Sequence, residues 1–259
     1  MPRKSVLESI PAIVWVLITV IAALAMLVGY LLASPREIAA PEQAPSPSAA
    51  APGTNFQKPT TNNALIGAPD KPVTKASDVH RRRADDPFAI GALDAPVVIA
   101  EFSDLECPFC SRHANNTEPQ IIKNYVDKGL VRLEWNDLPI NGPKAVAGAK
   151  AGRAAAEQGK FFEFKAAAYA ASASVSGHPE HDLEDYMRFA EEAGVPDLKK
   201  FKADATSTKY DATVQGAKLY GSAIGINGTP GFIIGEQFVA GAQPWSVFQQ
   251  VIEQELQNG

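Results

Sequence analysis

Cysteine is nearly absent from this chain of 259 residues: there are two, Cys107 and Cys110, and both sit in one short motif. With no further thiol there is no internal disulfide framework, so the fold must rest on its apolar core. An excess of positive charge is missing too. A net charge of −5 and a pI near 5.5 exclude the basic surface that nucleic-acid binding needs. The one basic run, Arg81 to Arg83, is followed at once by Asp85 and Asp86 and reads as a solvated segment edge.

Charge of either sign is lacking between Ser9 and Pro35. Ile10 to Ala33 is long enough to cross a hydrocarbon core, which takes about 20 apolar residues. Trp15 and Tyr30 lie toward its two ends, as interfacial aromatics do, and Arg3 and Lys4 precede it. The positive-inside rule therefore assigns residues 1–9 to the cytoplasm, 10–33 to a single-pass transmembrane anchor, and the rest to the far side of the cell membrane. A cleaved signal peptide cut near Ala23-Leu24-Ala25 is the alternative, but the apolar run continues through Leu31, beyond a signal peptide's core. Residues 34–86 lack aromatics except Phe56 and are rich in Pro, Ala and Ser. Such a composition cannot bury enough apolar surface to offset its ordering entropy, so the segment reads as a disordered tether.

What remains, 87–259, is one domain, and its centre is Val97 to Cys110, VVIAEFSDLECPFC. The β-branched start reads as a strand covered on both faces. Cys107 then falls at a helix start, where unpaired backbone N–H groups favour a thiolate, with Pro108 in the first turn. A thiol so placed is a redox centre by default. A helix over residues 107–127 should be interrupted at Pro119, and Leu130 to Leu138 alternates as the next strand. Residues 143–221 are helical in character. Lys150, Arg153, Glu157 and Lys160 form a charged stripe there, and Asp182 is placed to cap a helix. Gly231 to Ile234 and Gln237 to Ala240 flank Gly235-Glu236, a type II′ hairpin signal, and Pro244 opens a last amphipathic helix.

The order strand, CxxC, helix, strand, helical block, Thr-Pro, hairpin, helix resembles the DsbA-like branch of the thioredoxin superfamily. Cys107-Pro108-Phe109-Cys110 and Gly228-Thr229-Pro230-Gly231 carry the resemblance. It implies an α/β thioredoxin-like fold with an inserted helical subdomain, here in a membrane-anchored form. It further implies that Cys107 is the exposed nucleophile and Cys110 its buried partner, and that Thr229-Pro230 is an X–cis-Pro pair that, with Pro108 and Phe109, meets an incoming substrate strand. Glu101 matches the family's buried acid, which relays the Cys110 proton. No cofactor is implied beyond the redox-active Cys107-Cys110 disulfide. The partners would be reduced or unfolded secreted proteins and a membrane reoxidant of DsbB or vitamin K epoxide reductase-like type. Phe109 departs from the histidine often found between the cysteines, which removes one contribution to thiolate stability.

Oxidation of secreted or cell-envelope proteins is the activity this suggests, with a reductase or isomerase on the same scaffold as the nearest rival. From the residues alone, Cys107, Cys110 and His113 with His178 and His181 also offer a zinc set on paper, although His113 reads as a solvated helix residue. A peptide-binding chaperone with a vestigial thiol pair is the third reading.

Overall fold

The computed structural model describes residues 72–258. Residues 1–9, read from the sequence as cytoplasmic, 10–33, read as an anchor, and the expected tether as far as residue 71 lie outside the described residues. Among those described, no helix is long and apolar enough to cross a membrane.

Five strands form one sheet: β1 (Ala89–Ile90), β2 (Val97–Ser103), β3 (Val131–Asp137), β4 (Gly231–Ile234) and β5 (Gln237–Ala240). Their order is β1-β3-β2-β4-β5, with β2 and β3 parallel and every other pair antiparallel. Central β2 is buried along its whole length, as its apolar run requires. Val97 and Ile99 face the core closed by the last helix, α8 (Trp245–Asn258), through Phe248, Val251 and Ile252. Ala100 and Phe102 face the opposite core, with Tyr220 and Ile224.

After β2 comes α1 (Pro108–Asn116), then a break at Thr117 and Pro119 where the short α2 (Glu118–Ile121) begins and runs into a π turn, Ile122–Val126. The interruption expected at Pro119 is present because a proline N cannot donate into the preceding turn. The helical block holds α3 (Pro143–Ala156), α4 (Phe161–Ser172), α5 (Leu183–Glu192), α6 (Leu198–Thr206) and α7 (Asp211–Ala223). Asp182 caps α5 by accepting from the N–H groups of Glu184 and Asp185. Gly235, at φ 55°, makes the first position of the β4–β5 turn, as a II′ geometry asks.

Away from the cysteine site, three readings of the sequence differ from the structure. The packed chain starts before residue 87: Val73 and Val79 are core residues, and a 3₁₀ turn spans Ala76–Val79. Arg81 is not a solvated edge. Its buried guanidinium donates to Asp86 at 2.6 Å, to Asn136 Oδ1 at 2.6 Å and to the Trp135 carbonyl at 3.0 Å, while Glu134 accepts the N–H groups of Arg81 and Arg82. This segment covers the polar side of β3, which is why β3 is buried at all seven residues instead of half-solvated. Arg153, placed in a charged stripe by its spacing, turns inward to Asp137 at 2.6 Å and stacks over Phe88. A run of charges does not reveal which members find a buried partner, because the partners come from distant strands.

Candidate active site

The turn that delivers Cys107 is pinned by two acids of its own segment. Asp104 accepts the Glu106 N–H through Oδ1, and through Oδ2 the N–H groups of Ile140 and Asn141 and the Asn141 side chain. Glu106 accepts from the backbone of Glu180 and His181 and from the Tyr186 hydroxyl, tying the cysteine turn to the helical block. Both carboxylates are buried. Neither stands out in the sequence as a positioning residue, since acids beside a turn are usually solvated.

Cys107 is the N-cap of α1, with Pro108 at the first helical position. Both cysteines are thiols in this structure. Cys110, one turn on, is fully buried, and Cys107 is itself only 4% exposed. The resemblance suggested a more open nucleophile, but the loop before β4 lies over it: Sγ of Cys107 is 3.3 Å from the Thr229 carbonyl oxygen. The Thr229–Pro230 peptide bond is cis. The Pro230 carbonyl accepts from the Gly241 N–H, so the Thr229 backbone is the part of this pair that faces the thiol. The β2–β4 register sets that placement, because Phe102 opposite Gly231 brings the Thr-Pro loop to the end of β2 where Cys107 emerges.

The two thiols are driven apart in acidity. Cys107 is lowered to about 6, first by a hydrogen bond from the Cys110 thiol and then by the Thr229 side chain and the N–H groups of Cys110 and Phe109, against the opposing effect of burial. Burial pushes Cys110 well up, and the neighbouring Cys107 adds to this. The helix terminus therefore contributes as expected, but the partner thiol contributes more.

Beneath Cys110 lies a buried ionic cluster. Glu101 is 4% exposed and stands on the same face of β2 as Ser103. The ammonium of Lys165, on α4, donates to both carboxylate oxygens of Glu118 at 2.7 Å and lies 3.8 Å from Glu101 Oε2, while Oε1 of Glu101 has no protein partner. Burial opposes the charge on Lys165, but Glu118 and then Glu101 outweigh it and hold its pKa up. Tyr169, from the same helix, completes the lid through Ser103 Oγ and the Asp104 carbonyl. Lys165 and Glu118 are absent from the sequence-level site. Their one local signal is a lysine set in an apolar helix, FFEFKAAAYAA, which must find a buried anion or leave the core.

His113 corrects the expectation of a solvated residue. It is 2% exposed, wedged between Phe232 and Phe248 with ring centroids at 4.4 and 4.9 Å. Three residues after a fully buried cysteine on one helix, it shares the inward face. One ligand atom each from Glu101, His113 and Glu118 falls within 4.8 Å of the others. The Lys165 ammonium already supplies the cation there. The zinc set possible on paper is not gathered either: His178 Nδ1 meets the Glu106 carbonyl and His181 Nε2 meets Ser172.

Burial lowers His113 to about 4, with Glu118 opposing and Lys165 assisting. The folded state thus keeps this imidazole neutral where the unfolded chain protonates it. The resulting stability is complete above about pH 6.5 and is lost as pH falls toward 4, by about 3 kcal/mol in all. Urea unfolding of the full chain between pH 7 and 4 should show this acid slope, and His113→Phe should flatten it. An unchanged slope in that variant would refute the assignment.

Beside Cys107 a groove of about 680 Å³ opens between α1 and the segment Gly241 to Trp245. Thr229 and Phe109 line it, and Phe109 is 54% exposed.

A buried central strand, a cysteine pair around the first turn of the following helix and a cis-proline loop against them define the thioredoxin-like class of α/β domains. The chain belongs to the thioredoxin family, whose model, described as Thioredoxin, matches residues 83–254. Over 146 residues, 56% of this chain, it is 30% identical to Na(+)/H(+) antiporter NhaA 3 of Salinispora tropica, and spans only 21% of that protein. Over 72 residues, 28% of this chain, it is 38% identical to the probable disulfide bond formation protein D of Bacillus cereus, covering 33% of it. Among solved structures the fold is similar to oxidised BdbD of Bacillus subtilis, with a TM-score of 0.60 at 19% identity, over 66% of this chain and 92% of that one.

Proposed function

We propose that this chain is a membrane-anchored thiol:disulfide oxidoreductase that donates the Cys107–Cys110 disulfide to secreted or cell-envelope proteins outside the membrane. One observation carries the reading: a cysteine pair at a helix start, with Cys107 at the N-cap against the loop of the cis Thr229–Pro230 bond and Cys110 fully buried one turn on. The likeness to a probable disulfide bond formation protein supports it. A substrate thiolate attacks Cys107, the S–S bond breaks, and Cys110 leaves and takes up a proton. Glu101 is the buried carboxyl suited to pass that proton. A second substrate thiolate then attacks the substrate sulfur of the mixed disulfide and expels Cys107 as a thiolate. The substrate loses two electrons, and the Cys107–Cys110 pair gains them. A thiol of low pKa leaves fast, so the second step runs readily toward substrate oxidation. The two sulfurs carry the chemistry without a cofactor. A membrane oxidoreductase of DsbB or vitamin K epoxide reductase-like type would restore the disulfide.

Phe109 favours the rival direction, since it contributes no charge to the thiolate. Equilibration with glutathione buffers decides between them: a potential near the thioredoxin value of about −270 mV would make this a reductase. The exchange itself is tested with Cys110→Ala, whose Cys107 thiolate attacks a disulfide of an envelope protein, releases one of its two sulfurs as a thiolate, and then has no Cys110 to resolve the mixed disulfide so formed. Expressed in cells, it should accumulate mixed disulfides of envelope proteins on Cys107, released by dithiothreitol and missing from a Cys107→Ser control. No adducts on Cys107 would refute exchange.

A further inference from the structure

The groove beside Cys107 has a single charged residue in its wall, Arg112; the other polar lining groups are neutral amides and hydroxyls such as Asn116, Gln120 and Gln243. Arg112 is exposed, stacks its guanidinium over the Phe109 ring at 5.0 Å and reaches the opposite wall, where Nη2 donates to the Ala242 carbonyl at 3.4 Å. That contact is long, and a carboxylate, which can take two parallel N–H bonds from a guanidinium, competes well for the same group.

We infer that Arg112 makes this groove selective for substrate segments carrying an acidic side chain two residues from the reacting cysteine. The inference rests on the exchange reading of Cys107 and names the substrate class for it. The spacing follows from geometry. Arg112 lies five positions beyond Cys107 along α1, about 7.5 Å at 1.5 Å per residue. A substrate strand held by its cysteine against Thr229 covers that distance in two to three residues at about 3.3 Å each. Charge complementarity selects the occupant, since nothing anionic lines the groove to neutralise Arg112 and no second cation is there to favour a polyanion. Phe109 serves as the platform that holds the guanidinium in place, a use for an aromatic between the cysteines that a histidine would fill less well once protonated.

The test uses the oxidised full-length chain and three reduced peptides with one cysteine and Glu, Gln or Lys two residues after it, paired with three that carry the same residue two before it. Rates of mixed-disulfide formation are read as ratios within one protein, so a general loss of rate in a variant cancels. In the native chain one of the two Glu peptides should react about fivefold faster than its Gln counterpart, and the Lys peptide more slowly still, with the preference shrinking at high salt. Arg112→Ala should bring the Glu to Gln ratio to one, and Arg112→Glu should invert it. Equal Glu and Gln rates at both positions in the native chain, or a preference that persists in Arg112→Ala, overturns the inference while leaving exchange intact. Failure to oxidise any thiol, dithiothreitol included, overturns the exchange reading instead. If Arg112→Ala does not fold, the salt dependence of the native ratio decides: a ratio unmoved by salt refutes the charge reading.

Discussion

Lys165→Met is expected to lower the stability of the reduced protein by about 3–5 kcal/mol, the usual cost of removing one partner from a buried ion pair. The ammonium is bonded to both oxygens of Glu118 and lies 3.8 Å from Glu101, and all three side chains are at most 8% exposed. Without it, two buried carboxylates stand close together with no positive charge between them. Adding Glu118→Gln to Lys165→Met should restore part of the loss, because one of the two uncompensated charges is gone. Urea unfolding at pH 7 measures both effects, and a Lys165→Met loss below about 1 kcal/mol would mean the cluster is solvated and weak. The same variant should slow formation of the mixed disulfide by the oxidised protein, since Lys165 lies close enough to Cys110 for its charge to favour the departing thiolate.

The second large effect is on redox poise. Cys107 titrates near 6 in the folded reduced protein, against about 8.5 for an unfolded cysteine. A lowered acid contributes stability that is complete above about pH 8.5 and is lost as pH falls through 6. The full difference corresponds to at most about 3 kcal/mol, less where solvent reaches the rim of the site. The oxidised form has no thiolate and gains nothing from it, so the reduced form is favoured and the disulfide becomes a better oxidant as pH rises relative to an ordinary dithiol. Reduction takes up two protons below pH 6 and one above it. The midpoint potential should fall by about 59 mV per pH unit below 6 and about 30 mV above, and the break marks Cys107. Alkylation should follow the same midpoint at Cys107, with Cys110 unreactive throughout. A straight line of about 59 mV per unit through pH 8 would show an ordinary thiol and remove the cause of the proposed exchange.

Much of the site was legible in the linear chain because it is local. Strand, turn, proline and cysteine pair follow each other within Val97 to Cys110, and each is dictated by short-range sterics and by the unpaired N–H groups of a helix start. The hairpin, the break at Pro119 and the cap at Asp182 were legible for the same reason. The residues misread or passed over share another feature. Arg81 meets Asp86 and Asn136, Arg153 meets Asp137, Lys165 meets Glu118, and His113 meets Phe232 and Phe248. In all but the first of these contacts the partner lies far along the chain, so no window of residues contains it.

The sequence by itself determined that two sulfurs stand together at a helix start behind a buried strand, since backbone geometry over a few residues places them there whatever surrounds them. Only the tertiary structure decided how acidic each sulfur is, which cation stands under them and which cation flanks the groove. Acidity and selectivity depend on burial and on polar and charged groups a few ångströms away, and here those groups arrive from β2, α1, α2, α4 and the loop before β4, which nothing but folding brings together.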